Sequence, residues 1–331
     1  MTSPFPAIYS TLSPVSLGDL VTEKYTLTGV GCRFLTRGVG DTYLIENIGE
    51  PYILRVYRST HRTFDQVNAE MELLFALQQA DVPIAYPIAD RSGNVVQIID
   101  ALEGVRYAVL FKYAPGTPAR ILTEEQLRVF GHQMARFHNV SSTLQLGSSR
   151  WTFDNETTLF APLERLKDHF AGMPEEYSWL QHAAGQVVSR LDRADKTTFS
   201  SGYCHFDFLP KNFHFDENNK ITFFDFDFMG YGWLINDIVT YWQHLQLDVY
   251  VGRMKKEAAD NMFSIFIAAY RKQRSLHEEE LQVVPYLTLG FWLFYMGFHT
   301  THDQFFPFLQ PSHLKAHTGF LQGLSQQYWN S

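Results

Sequence analysis

Between Tyr203 and Tyr241 the chain reads YCHFDFLPKNFHFDENNKITFFDFDFMGYGWLINDIVTY, and the residues here have types and spacing suited to chemistry. Asp207 and Asn212 stand five positions apart, and Asp225 follows after two short apolar runs. Residues 213–215 and 221–224 read as strands, with a polar stretch at 216–220 between them, which predicts a hairpin. With its turn centred near Asn218, Asn212 lies roughly opposite Phe224. Asn212 and Asp225 then stand side by side at the open end, and Asp207 lies in the loop leading in. Together they supply hard oxygen donors with carboxylate charge, the ligands Mg²⁺ takes when nucleotide phosphates and waters complete its shell. Taken singly, Asp207 and Asn212 are also good turn-capping residues.

Elements on either side must position this group. The first hundred residues read as strand-rich, with short segments at 25–34, 41–46 and 52–57 separated by glycine-containing turns. A helix follows at about 64–80, where Val67, Met71, Leu74, Phe75 and Leu77 share one face. Glu70 falls inside that apolar stripe, where a buried carboxylate needs a partner unless it reaches water at the stripe's edge. Strands at 95–99 and 108–113 lead to the turn Ala114-Pro115-Gly116. Beyond it the pattern becomes mostly helical, opened by Thr123-Glu124-Glu125-Gln126, which has the form of a capping box. His138 in that helix reads as a hydrogen-bonded core histidine. The expected fold is α+β in two domains, residues 1–113 and 114–331.

His205-Phe206-Asp207, with Asn212 and then Asp225 beyond a hairpin, resembles the catalytic and metal loops of the protein-kinase-like bilobal fold. Its details are similar to the aminoglycoside phosphotransferase superfamily, which also holds choline, homoserine and fructosamine kinases and a stress-response kinase group. That superfamily shows an HGDxHxxN loop and an IDF or IDW motif; this chain has HFDFLPKN and FFDFDF. The resemblance implies ATP and Mg²⁺ as cofactors, Asp207 as the catalytic residue, and Asn212 and Asp225 as metal ligands. It leaves Asp227 as a second ligand or a substrate-side group. It further implies a phosphate-covering turn at Gly38-Val39-Gly40-Asp41-Thr42 and a phosphate contact at Arg55, with Glu70 as Arg55's helical partner. The strand 109–113, with Phe111 and Tyr113, takes the place of the adenine-contacting hinge. Asp237 takes the place of the aspartate that braces the catalytic loop.

Three positions depart from the family pattern. Arg55 replaces the usual lysine, and a guanidinium fork can grip phosphate and carboxylate together but is bulkier than an ammonium. Phe206 replaces the small residue after the histidine, and Leu209 replaces a polar one.

The 331 residues are 45% hydrophobic and 19% charged with a net charge of −8, a composition that excludes disorder, collagen and coiled coil. The acidic balance argues against a nucleic-acid partner. The apolar stretch 283–298 is broken by Pro285, Thr288 and Gly290 and is shorter than the roughly 20 residues of a membrane span. The N-terminus lacks the early basic residues of a secretory signal. Cys32 and Cys204 form no CxxC motif, which fits a reducing cytoplasm. The expected protein is a cytoplasmic monomer or homodimer acting on a small-molecule hydroxyl. Near the C-terminus Phe291, Tyr295, Phe298 and His302 recur at helical spacing, a stripe that belongs to the core or lines a site for a cationic amine. A protein Ser/Thr kinase, a nucleotide-binding pseudokinase and a metal-dependent phosphohydrolase are the competing readings.

Overall fold

The computed structural model describes residues 5–147 and 150–329; the two ends of the expected domains, residues 1 and 331, lie outside it. The chain divides into two compact units, one spanning Met1–Gly116, Gln145–Ser149 and Thr222–Phe224, the other Thr117–Leu144, Arg150–Ile221 and Asp225–Ser331.

The first unit begins with a helix, α1 (Pro14–Lys24), capped by Ser13. The residues read as the start of a strand instead finish this helix: the Tyr25 N–H donates to the Val21 carbonyl, and β1 begins only at Gly31 (Gly31–Arg37). Then come β2 (Asp41–Glu46), β3 (Tyr52–Val56), α2 (Phe64–Gln79), β4 (Pro87–Ile88), β5 (Val96–Ala101) and β6 (Gly104–Lys112). The strands form one antiparallel sheet in the order β1-β2-β3-β6-β4, with β5 also on β6. Leu54 and Val56 point into a core shared with Leu17, Val21 and Tyr25 of the α1 region. Because successive strand residues face opposite sides, Arg55 between them points the other way, opposite Thr42 on β2. The Thr63 hydroxyl and the Gln66 side chain form a capping box that starts α2. The helix buries Val67, Met71, Leu74 and Leu77, together with Glu70.

The second unit is mainly helical. It holds α3 (Glu124–Ser141), β7 (Trp151–Phe153), α4 (Ala161–Leu166), α5 (Pro174–Arg193), β8 (Ser201–Cys204), β9 (Phe213–Phe215), β11 (Gly230–Trp233), α6 (Ile235–Tyr250), α7 (Lys256–Arg271), α8 (Glu278–Gln282), α9 (Val284–His299) and α10 (Pro311–Tyr328), while β10 (Ile221–Phe223), which pairs with β9, has Thr222 and Phe223 counted with the first unit. Both hydrogen bonds of the Thr123–Gln126 capping box are made. Gly131 lets α3 lie against α7, since a Cβ there would stand 2.3 Å from the Phe266 carbonyl oxygen. Leucines of α4, α5, α9 and α10 share one core. Among the described residues no helix is long and apolar enough to cross a membrane, and the stretch read as a buried helix is α9.

A three-stranded sheet, β7-β11-β8, has no counterpart in the mostly helical expectation. Its central strand is Gly230-Tyr231-Gly232-Trp233, and a Cβ on Gly230 would lie 2.6 Å from the Trp151 carbonyl oxygen. The two glycines that weaken the strand signal are thus what let the strands close up.

Candidate active site

β8 ends at Cys204 and delivers the chain into the loop His205–Asn212. Asp237, in the first turn of α6, fixes the loop's start. Its Oδ2 accepts the His205 N–H at 2.9 Å and its Oδ1 the Phe206 N–H at 2.6 Å. Phe206 is held at φ +62°, a left-handed conformation that is costly for a bulky residue and needs such restraint. The other side of Asp237 meets His138 of α3, whose Nε2 lies 3.0 Å from Oδ2 while its Nδ1 lies 2.7 Å from the Tyr270 hydroxyl. Burial pushes the His138 pKa down against the pull of Asp237. This neutral ring, donating to Asp237, is the hydrogen-bonded core histidine the sequence suggests.

Asp207 is 2% exposed and lies at the centre of the loop. Its N–H donates to His205 Nδ1 at 3.2 Å. The Asn212 amide donates to the Asp207 carbonyl at 2.8 Å and to its carboxylate Oδ2 at 2.7 Å. Lys211 Nζ stands 3.1 Å from the same carboxylate oxygen. With the Asn212 NH₂ committed to Asp207, its carbonyl oxygen is turned away as a hard acceptor, the donor type that suits Mg²⁺. Phe206 packs away from these groups, stacked on Phe153 at 3.7 Å and flanked by Phe291 and Phe294. A cavity of about 330 Å³, lined in part by Phe153, Tyr231, Trp233 and Phe291, borders that stack.

The hairpin turn forms as expected, closed by Asp216 N–H to the Lys220 carbonyl and by Asn219 at φ +57°. Asp225 follows β10 in a left-handed conformation, φ +65° and ψ +60°. Asp227 is buried, and the backbone around it is pinned by Arg150, whose guanidinium donates to the carbonyls of Phe226, Asp227 and Met229. Nothing in the spacing of the sequence marks Arg150 as a partner. Among the described residues no three His, Cys, Asp or Glu side chains are grouped so as to hold a metal ion.

Tyr295 of α9 also reaches this group. Its hydroxyl faces Asp207, and burial followed by the charges of Asp207, Asp225 and Asp227 pushes its pKa far above the usual phenol range. The helical stripe expected at Phe291, Tyr295, Phe298 and His302 is therefore neither continuous nor uniform: α9 ends at His299, leaving His302 in extended backbone beyond it, Phe291 and Phe298 are buried, and Tyr295 is half-buried with a polar tip among carboxylates.

In the first unit, the Gly38 N–H donates to the Gly40 carbonyl across the glycine turn. A Cβ on Gly40 would sit 2.5 Å from the Val56 carbonyl oxygen. Asp41 turns its side chain inward to a buried pair with Arg106 (3.3 Å), with Arg37 on its other oxygen (3.0 Å), so of Asp41 only the backbone is left to meet a ligand. Arg55 and Glu70 are linked by a residue the sequence did not single out. Tyr57 donates its hydroxyl to Glu70 Oε1 at 3.0 Å, and its ring lies 5.6 Å from the Arg55 guanidinium. Its position two residues after Arg55, on the same side of an extended chain, was the available signal. Phe111 is buried on β6 opposite Ile53 and Pro87, and Tyr113 is half-buried just past the strand's end.

Residues 31–270 match the phosphotransferase enzyme family. An uncharacterized protein of Deinococcus radiodurans is 30% identical over 293 residues, covering 88% of this chain and 84% of its own. The structure of a microcompartment-associated aminopropanol kinase is similar over 94% of this chain and 95% of its own, with a TM-score of 0.74 at 21% identity. That of amicoumacin kinase in complex with AMP-PNP, Ca²⁺ and Ami covers 95% and 93%, with a TM-score of 0.71 at 20% identity. These likenesses agree with the strand-rich first unit and helical second unit in giving the protein-kinase-like fold. The chain belongs to the phosphotransferase enzyme family and is a kinase with an alcohol group as its acceptor.

Proposed function

We propose that the chain moves the γ-phosphoryl group of ATP to a hydroxyl of a small molecule that also carries an amine: an amino alcohol, an amino acid or an aminoglycoside. The observation that carries this reading is the union of Asp207 with Asn212, which aligns a shielded carboxylate with a metal-type oxygen on one short loop. In this reading Asp207 accepts the proton of the acceptor hydroxyl as its oxygen bonds to the γ-phosphorus. The bond from phosphorus to the β–γ bridging oxygen breaks, and ADP leaves. Lys211 steadies the Asp207 carboxylate. Asn212 and Asp225 would hold Mg²⁺, with Asp227 as a second ligand or a substrate-side carboxylate. Bound there, the ion neutralises charge on the β- and γ-phosphates.

Residues 1–113 form the nucleotide domain. Arg55 neutralises the α- and β-phosphates and is steadied by Glu70 through Tyr57. Backbone N–H groups at Gly38, Gly40, Asp41 and Thr42 cover the nucleotide, and the strand carrying Phe111 and leading to Tyr113 receives the adenine. Residues 114–331 carry the catalytic loop and the acceptor. The protein acts in the cytoplasm as a monomer or homodimer. The nucleotide and divalent ion held by the similar amicoumacin kinase structure support this choice of cofactors. ATP turnover across a panel of amine-bearing alcohols, with and without Mg²⁺, tests the reading: Mg²⁺-dependent phosphorylation of at least one supports it, and MgATP failing to bind refutes it.

A further inference from the structure

The cavity that borders the Phe206 stack lies wholly within the second unit, and none of Asp207, Asn212, Asp225 and Asp227 lines it. Part of its wall is Ser201 and Trp233, a cross-strand pair at the end of β8 and β11 opposite the catalytic loop. From Ser201 to Cys204 the strand rises about 10 Å, so this wall stands well behind the loop. Asn236, in the first turn of α6, is the polar residue there that packing does not explain. It is 6% exposed and lines the cavity, and its side-chain amide has no hydrogen-bond partner among the described residues. The Thr240 hydroxyl, at 3.1 Å, reaches only its backbone carbonyl. Gly232, also in the lining, leaves the amide uncovered, since a Cβ there would stand 3.4 Å from Asn236 Nδ2. A buried amide left unpaired costs about 1–3 kcal/mol, so the side chain is placed for a group that returns its hydrogen bonds.

The walls and charges say what kind of group fits. Phe153, Phe291, Tyr231 and Trp233 give aromatic surface, against which a flat ring packs well. The two charged residues of the lining, Asp154 and Lys196, are of opposite sign. Lys196 is paired with Asp192 at 2.9 Å, and Asp154 Oδ1 accepts the Thr157 N–H at 2.8 Å. The lining therefore favours a neutral occupant over an ion. The Asn236 amide donates and accepts side by side, so its complement is another donor–acceptor edge, as on a carboxamide or a nucleobase. At about 330 Å³ the space is near the lower end of the ~300–1,000 Å³ of small-molecule sites, which limits the occupant to one or two rings. Such an occupant touches both supports of the catalytic loop. Phe153 stacks on Phe206 at 3.7 Å, and Asn236 adjoins Asp237, which holds the His205 and Phe206 N–H groups.

We infer that this cavity is a second ligand site, separate from Asp207, for a neutral planar ring whose carboxamide-type edge pairs with Asn236. A free aromatic carboxamide and a nucleobase share that edge, so benzamide and uracil are the probes, and neither offers an alcohol to be phosphorylated. Acetophenone keeps the ring and carbonyl without an N–H, and acetamide keeps the amide without a ring. Ligand-observed NMR titrations use the full chain with a non-hydrolysable ATP analogue and Mg²⁺ filling the nucleotide site. Benzamide or uracil should bind at least about tenfold tighter than acetophenone and acetamide. The tighter of the two names the source, benzamide a free carboxamide and uracil a nucleobase. Asn236→Leu keeps the side chain's size without its amide and should weaken that probe by about tenfold. Tyr231→Ala removes an aromatic wall at a 43% exposed residue and should weaken it by about threefold. Three results overturn the inference: neither probe binds, leaving a cavity that holds only water; acetophenone or acetamide binds as tightly; or affinity is unchanged in both variants.

Discussion

Asp237 holds Phe206 by a 2.6 Å hydrogen bond from the Phe206 backbone N–H to Oδ1, one residue before the loop's central carboxylate. The same carboxylate receives the His205 N–H and faces His138 Nε2, so three donors converge on one buried anion. Phe206 sits in a left-handed conformation that these bonds restrain. Replacing Asp237 by Ala strands all three donors. Stability measured by urea denaturation should fall by about 3 kcal/mol or more. A loss under about 1 kcal/mol would show that the brace is not needed.

Asp41 lies in the glycine-turn region that resembles a phosphate cover, yet its side chain is committed to Arg106 and Arg37. Asp41→Ala removes one of the two carboxylates beside the fully buried Arg106, Glu103 being the other at 3.7 Å, and should cost about 1–3 kcal/mol of stability. At temperatures where the variant is folded, its affinity for ATP should stay within a few-fold of wild type. A stable variant that has lost ATP would reassign Asp41 to the nucleotide.

Asp225→Ala should abolish Mg²⁺-dependent nucleotide binding while the chain stays folded, because the side chain is half-buried at the end of β10 and not part of a core. Isothermal titration with MgATP reads this directly. Unchanged affinity would remove Asp225 from the metal site and leave Asp227 as the candidate.

His299 and His317 bind protons only near pH 4 in the fold, whereas in the unfolded chain they do so near 6.5. Between those values the unfolded state carries protons the native state does not. Their contribution is therefore intact above pH 6.5 and is lost as the pH falls toward 4, by up to about 1.4 kcal/mol per pH unit for each ring. Denaturation midpoints at pH 7 and pH 5 should drop less in a His299→Gln/His317→Gln double variant than in wild type. Equal drops would show that these rings are not kept neutral by the fold.

Local rules made much of the architecture readable. The helix read at 64–80 and the Thr123 capping box need only sequence-near signals, and the structure puts α2 at Phe64–Gln79 and makes both bonds of the box. The hairpin was readable for the same reason: strand alternation flanks a polar turn, and Asn212 arrives beside Asp207 at its foot. What stayed hidden depends on distant partners. The β7-β11-β8 sheet is built on Gly230 and Gly232, residues that argue against a strand until Trp151 and Phe153 are seen pressing on them. Helical spacing grouped Tyr295 with Phe291 and Phe298, but only the packing shows that Tyr295 turns to Asp207. Tyr57 was likewise invisible as the link between Arg55 and Glu70, since the contact joins a strand's end to a helix.

The central claim is that Asp207 acts on the acceptor hydroxyl and does not hold the metal. It is tested most directly by steady-state turnover and MgATP affinity of Asp207→Asn beside Asn212→Ala, with a true acceptor present. Asp207→Asn keeps the side chain's size and one hydrogen-bonding oxygen. It should leave MgATP affinity within a few-fold of wild type while turnover falls by ~10²-fold or more. Asn212→Ala should weaken MgATP as well, because it removes a ligand oxygen. Equal turnover in wild type and Asp207→Asn would contradict the role given to this loop.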